Sequence, residues 1–245
     1  SVVEVPRQLP IHQGLRFTHH RENLLRAAQQ KAHERNLEIE TDLLIAHQAA
    51  DGIQSGAIRY GADFMIMGWK GYTDTRDRIF GEVADQVIRS SPCDLGMLKI
   101  ESREPPKTCL FPTTGGPHNR LAAEVLSVLA PVLGMSVTAC YVVPPNPSEA
   151  ILARADKRLN KTLKHLELGL PVNRKLIESN SIAGGIAKES VDYDLVVLGS
   201  TRDRFIRKLL FGEIPEKVAR YSPASVLVLR RYEGRVRSLL KRAFG

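Results

Sequence analysis

Residues 62–100 read ADFMIMGWKGYTDTRDRIFGEVADQVIRSSPCDLGMLKI, in the order strand, glycine loop, helix, strand. The run Asp63-Phe64-Met65-Ile66-Met67 has the continuous apolarity of a buried strand, and it enters Gly68 directly. Glycines then recur as Gly68, Gly71 and Gly81 before a helical pattern opens at Glu82. Gly68 and Gly71 let backbone approach a ligand where a Cβ would clash. Gly81 leaves bare N–H groups at a helix start, where the dipole favours an anion. After the helix, Ser90-Ser91-Pro92-Cys93 breaks the pattern, and Leu95 to Ile100 reads as one more short buried strand.

The same stretch recurs. A shift of 131 residues lays 193–231 on it without a gap, with identities that include Asp63/Asp194, Gly68/Gly199, Arg76/Arg207, Phe80/Phe211, Gly81/Gly212, Glu82/Glu213, Ser91/Ser222 and Pro92/Pro223. The period is far longer than a solenoid unit, so it predicts two similar α/β domains rather than a stacked array.

Working outward, the first unit opens with a strand at 1–6, continues with a helix from Arg21 to Asn36 whose stripe is Leu24, Leu25, Ala28 and Ala32, then a strand at 38–45 and a short helix at 52–60. The second unit has a strand at 108–112, a helix from Asn119 to Leu133, a strand at 136–143, a helix at 148–166, a strand at 172–177, a helix at 182–191, and the repeated stretch. Strands alternating with helices predict parallel sheets covered on both faces. The expected domains are 1–101 and 107–232, joined by a linker at 102–106 and followed by a basic tail helix at 233–245. The second unit has a strand and helix at 108–133 with no counterpart in the first, because the opening Val2-Val3 strand matches its second strand, not its first.

Composition narrows the classes. With 245 residues and 43% hydrophobic content, the chain has the material for two cored domains. Its longest apolar runs are strand-length, too short to span a bilayer, and the N-terminus lacks a charged-then-apolar leader. Cys93, Cys109 and Cys140 are scattered in apolar surroundings and read as buried fillers in a reducing compartment. The net charge is +8, but residues 230–245 carry six Arg and Lys against one Glu, which leaves the body only weakly basic. A body of that charge without interleaved aromatics argues against a nucleic-acid surface. His12, His19, His20 and His33 lack metal-ligand spacing, and no catalytic constellation stands at a readable spacing, so neither a metal site nor an enzyme is expected.

The glycine spacing, the passage from Val83 to Cys93 and the five-strand alternation together resemble the universal stress protein family, over nearly the whole chain, as one incomplete and one complete copy. The resemblance implies two α/β, doubly wound, parallel five-stranded sheets of the adenine-nucleotide alpha-hydrolase-like type, strand order 3-2-1-4-5, the first copy lacking its leading strand and helix. In many members ATP or AMP lies across the strand ends, and Mg2+ is a further cofactor to expect with it. The family's nucleotide residues carry over to Val2, Met67, Gly68, Gly71, Gly81, Glu82 and Val83 in the first copy. In the second they carry over to Pro112, Thr114, Val142, Gly199, Arg202, Gly212 and Glu213.

The departures bear on ligand binding. Glu82 and Glu213 stand where the family has a phosphate-contacting Ser or Thr, Arg202 replaces the middle glycine, and Pro112-Thr113-Thr114 replaces the Pro-x-Asp that meets the adenosine. Like unit charges about 4 Å apart repel by about 4 kcal/mol at an effective dielectric near 20, roughly a thousandfold in affinity. The expectation is that Glu82 and Glu213 cap their own helices, with ATP binding weakened or lost. Trp69 is a candidate either for stacking on a base or for covering the sheet end against the sister domain. Arg202, Arg204, Arg207 and Lys208 form a charged loop.

Because the missing strand is central in that order, the chain is expected to be a fragment with a strand and helix upstream. The passage from Phe211 to Ala219 and the basic tail are similar to the cytosolic C-terminal regions of prokaryotic amino-acid permeases and chloride channels. The resemblance implies a non-catalytic regulatory module at the cytosolic face of a membrane transport domain. Its partners are that domain, the sister copy through paired last strands, and a second copy of the chain. The alternative is a free-standing tandem stress protein that binds ATP or AMP in the cytoplasm.

Overall fold

The computed structural model describes residues 1–69, 80–116, 119–164, 166, 172–200 and 211–232. They fall into two compact units, Ser1–Asp63 with Gly81–Cys93, and Phe64–Phe80 with Asp94 onward.

In the first unit β1 (Val2–Glu4) runs parallel to β2 (Leu44–Ala46), in register Val3↔Ile45. A 3-10 helix (Ile11–Phe17) and the helices α1 (His19–His33), α2 (Ala49–Arg59) and α3 (Glu82–Ser90) complete it. Two glycines set the packing. A Cβ on Gly14 would stand 2.4 Å from Ile45 Cγ2, and one on Gly52 would stand 2.6 Å from Val2 Cγ1. The strand predicted at 38–45 shortens to three residues, since β1 offers only three partners. The stripe predicted for α1 stays largely exposed: Leu24 is outside and only Ala32 is buried.

The second unit is built on a seven-stranded sheet: β3 (Phe64–Trp69), β4 (Asp94–Lys99), β5 (Thr108–Pro112), β6 (Ser136–Val143), β7 (Val172–Glu178), β8 (Leu195–Gly199) and β9 (Ser225–Arg230), in the spatial order β3-β4-β9-β8-β5-β6-β7. All neighbours are parallel except β4 and β9, which pair antiparallel through Met97↔Val228. From β7 to β9 the order is 3-2-1-4-5 for the strands of the second copy. The first copy is not a five-stranded sheet of its own, contrary to expectation. Its β1 and β2 pair only with each other, while β3 and β4 extend the other copy's sheet across β9.

Four helices belong to this unit, α4 (Arg120–Leu133), α5 (Glu149–Leu163), α6 (Ile182–Glu189) and α7 (Glu213–Tyr221). Under α4 lies a core in which Phe111, Leu126, Ala130 and Val197 are fully buried. Each large side chain there contributes about 1.5–3 kcal/mol by leaving water. Helix α4 stops at Gly134, whose left-handed φ of 61° lets Met135 N–H return to Ala130 O at 2.9 Å. Among the described residues no helix is long and apolar enough to cross a membrane.

Candidate nucleotide-type site

The second copy presents its strand ends most fully. Past β5, Thr113 N–H still reaches Cys140 O at 2.9 Å, so the ladder carries the chain one residue further and buries Thr113 to 5% exposure. Thr113 Oγ1 accepts from Gly115 N–H at 3.0 Å and from Asn119 Nδ2 at 2.7 Å. Its own proton is then directed to Thr162 Oγ1 at 2.6 Å, which in turn donates to Arg158 O at 3.2 Å. Gly115 permits this closure: at φ 66° it has the freedom glycine brings, and a Cβ there would stand 2.9 Å from Arg158 O. Where the resemblance calls for a carboxylate facing an adenosine, the chain has a hydroxyl run already occupied with its own partners. Thr114, the residue aligned with that carboxylate, is exposed.

At the helix starts the two copies agree closely. Gly81 has φ 96° and ψ 161°, and Gly212 has φ 101° and ψ 159°, a region that side chains rarely adopt. Neither helix has a side-chain cap. The capping role expected of Glu213 is not seen, because its side chain lies on the outer face and pairs with Lys217 one turn on. The inward carboxylate is Glu216, 5% exposed, whose Oε1 accepts from Phe211 N–H at 3.1 Å. Its partner in the repeat is Asp85, 8% exposed. A buried carboxylate in the first turn complements the positive end of its own helix, the place an incoming phosphate would take. The signal was present in the sequence as two aligned acidic residues inside otherwise apolar helix faces. The more conspicuous Glu82 and Glu213 drew the reading away; both are exposed.

Gly199 is half-buried at the end of β8, and Ser200 beside it is 7% exposed, its N–H bonded to Leu229 O at 2.8 Å. Ser200 Oγ has no hydrogen-bond partner among the described residues. Val142 is half-buried in β6, and Pro112 is buried. In the first copy, Val2, Gly81 and Val83 are half-buried and belong, with Glu82, to the first unit, where Val2 packs on Gly52 of α2. Met67 and Gly68 belong to the second unit, and a Cβ on Gly68 would meet nothing within 4 Å. Gly71, Arg202, the charged loop and the tail helix lie outside the described residues.

Trp69 takes the second of its two expected roles. It is 6% exposed and meets Phe80 edge-on, centroids 4.8 Å apart, and Phe80 meets Phe211 at 5.3 Å. Phe80 and Phe211 are repeat partners, so the aromatic run joins equivalent positions of the two copies. Cys93, Cys109 and Cys140 are buried free thiols, and burial pushes the last two well above the usual thiol range. Among the described residues no group of three His, Cys, Asp or Glu could hold a metal ion.

Comparison with known proteins agrees with this geometry. A universal stress protein from Archaeoglobus fulgidus superposes with a TM-score of 0.68 at 18% identity, covering 95% of this chain and 84% of that one. The cytoplasmic domain of a prokaryotic cation chloride cotransporter superposes with a TM-score of 0.56 at 10% identity, covering 84% of this chain and 78% of that domain. The Na+/H+ antiporter NhaS5 of Synechocystis is 27% identical over 212 residues, which are 84% of this chain and 30% of the antiporter's length. The universal stress protein family matches over residues 2–99 and again over 106–230. The chain, with its repeated glycine loop and its 3-2-1-4-5 sheet, belongs to the universal stress protein family.

Proposed function

We propose that this chain is a non-catalytic regulatory module of a membrane transporter, held at the cytosolic face, in which two stress-protein copies at 1–101 and 107–232 form a pseudo-dimer through β4 and β9. The association with a transport domain draws on the antiporter and the cotransporter domain to which the chain is similar. Its mechanism is a shift in the relative placement of the copies, driven by a ligand or partner with different affinity for two arrangements.

The observation that carries the weakened-nucleotide part is the second copy's mouth. Thr113 and Thr162 hydrogen-bond each other, and Glu216 holds the helix start from within. ATP would have to displace internal bonds and face a buried carboxylate there. The better of the two mouths is the first copy's, built from Val2, Met67, Gly68, Gly71, Gly81, Glu82 and Val83, with Mg2+ as the bridge that offsets Glu82. Two measurements test the reading. Calorimetry with ATP and Mg2+ is expected to give no Kd below about 100 μM, with Glu82→Ser tightening it about tenfold; low-micromolar binding to the natural sequence overturns this part. Ion flux by the whole transporter in vesicles, with and without residues 1–245, tests the regulatory part: a flux whose dependence on conditions is identical in the two forms removes it.

A further inference from the structure

The repeat gives every residue of β3 a counterpart in β8, and the two strands are covered very differently. Leu195 and Val197 are 5% and 0% exposed; Phe64 and Ile66, their partners, are 39% and 57% exposed. In the second copy that face lies under α4, and the strand edge pairs with β5 through Cys109↔Leu195 and Leu110↔Val196. Strand β3 pairs with β4 alone and ends the sheet. Its sequence Phe-Met-Ile-Met-Gly has none of the charges or prolines with which natural edge strands are blunted.

Asp194 supplies an independent observation. Its carboxylate accepts from Lys107 N–H at 2.8 Å, Thr108 N–H at 2.9 Å and Thr108 Oγ1 at 3.0 Å, so it clips the leading end of β5. The repeat keeps this aspartate as Asp63, bonded directly to the first residue of β3. Asp63 is exposed, and its carboxylate has no hydrogen-bond partner among the described residues. A clip is present with no strand to hold.

The flank of α4 completes the outline. Glu124 pairs with Arg231, which also reaches Asp94 at the head of β4 at 3.9 Å, so this stripe of α4 faces the β4 side. One and two turns on, the same stripe carries Val128 and Val132, 66% and 78% exposed. The floor between them and β3 includes Gly96, where a Cβ would stand 3.0 Å from Phe64 Cζ.

We infer that the open edge of β3, the Phe64–Ile66 face and the Val128–Val132 stripe form a receptor for a parallel β-strand followed by an amphipathic helix, contributed by the same polypeptide ahead of Ser1. The strand pairs along β3 with its leading amides on the Asp63 carboxylate, and the helix lies over Ile66 beside α4. Chain order identifies the donor. In the second copy β5 and α4 stand immediately before β6, and the first copy's counterpart of β6 is β1. A helix from residues 233–245 would cover the face but leave the β3 edge and Asp63 without partners. This inference concerns how the first copy is completed, and it stands whether or not the module regulates transport.

Thiol labelling tests it, since Cys93, Cys109 and Cys140 are buried and an introduced cysteine is read against a quiet background. In the 245-residue chain, Ile66→Cys is expected to react with a bulky maleimide as fast as the exposed control Val191→Cys. In the whole polypeptide it is expected to react about a hundredfold slower, the control unchanged. Amide exchange of Phe64–Trp69 in the unsubstituted protein is expected to slow to match, and Asp63→Ala in the whole polypeptide to speed it at least about tenfold. Equal fast labelling in both forms overturns the inference. So does a natural polypeptide with no strand and helix ahead of Ser1. Slow labelling already in the 245-residue chain also overturns it: release by deleting 233–245 then names the tail as occupant, and release by dilution names a second copy.

Discussion

Phe64-Met65-Ile66-Met67 and Leu195-Val196-Val197-Leu198 are the same strand written twice, yet one ends the sheet and the other lies within it. Their hydropathy does not predict the difference. What separates them is the neighbour: β8 has β5 at its edge and α4 above it, and β3 has neither. A strand's own residues set what it is able to bury, and the chain around it sets how much is buried. The largest test of this contrast substitutes the paired positions. Leu195→Ala is expected to lower the unfolding free energy of the 245-residue chain by about 2–5 kcal/mol, whereas Phe64→Ala, despite removing a larger side chain, costs less than about half of that. Urea melts at constant m-value give both numbers. Equal costs would mean that Phe64 is covered in solution.

The helix starts offer the next contrast, between two acids in one turn. Glu216→Ala leaves Phe211 N–H buried without its acceptor and is expected to cost about 1–3 kcal/mol. Glu213→Ala removes an exposed pair with Lys217 and is expected to change stability by no more than about 0.5 kcal/mol. Reversal of that order would return the helix-start role to Glu213. At the mouth of β5, Thr113→Val keeps the shape but strips the acceptor from Gly115 N–H and Asn119, for about 1–2 kcal/mol. Thr114→Val, exposed and next in sequence, is expected to be silent.

These contrasts also mark what the residues alone could disclose. The repeat, the element order of the second copy and its 3-2-1-4-5 sheet were readable because each strand is apolar and each helix start is announced by Gly81 or Gly212. The Thr113–Thr162 bond was not, since its partners are 49 residues apart and a hydroxyl has no periodicity to betray it. The choice between Glu213 and Glu216 was hidden for another reason. Both are acids in the first turn, and only the side of the helix on which the sheet lies separates them. Trp69 was ambiguous until Phe80 and Phe211 were placed beside it. The stripe on α1 was legible as a pattern, but periodicity says which residues share a face and not whether anything covers that face.

The finest contrast is the aligned pair Asp63 and Asp194, and it is read by pH. The backbone N–H of Lys107, then the backbone and hydroxyl of Thr108, hold the Asp194 carboxyl below its usual range, against a smaller opposing effect of burial. A folded-state pKa below the unfolded one means that the group favours folding while it is ionised. That contribution is present above the unfolded value, about 3.9, and is lost as pH falls through the lower folded value. Asp194→Asn should therefore flatten the acid limb of the stability curve below about pH 4 and leave its slope near neutrality unchanged. Asp63→Asn, with no strand to clip in the 245-residue chain, should leave that limb as it is, and the same substitution should flatten it in the whole polypeptide if the aspartate there holds a strand as its partner does. Unfolding free energy measured from pH 2 to 7 in both lengths of protein separates the cases. An acid limb that ignores Asp63 in the longer protein would show that the first copy is completed, if at all, without its clip.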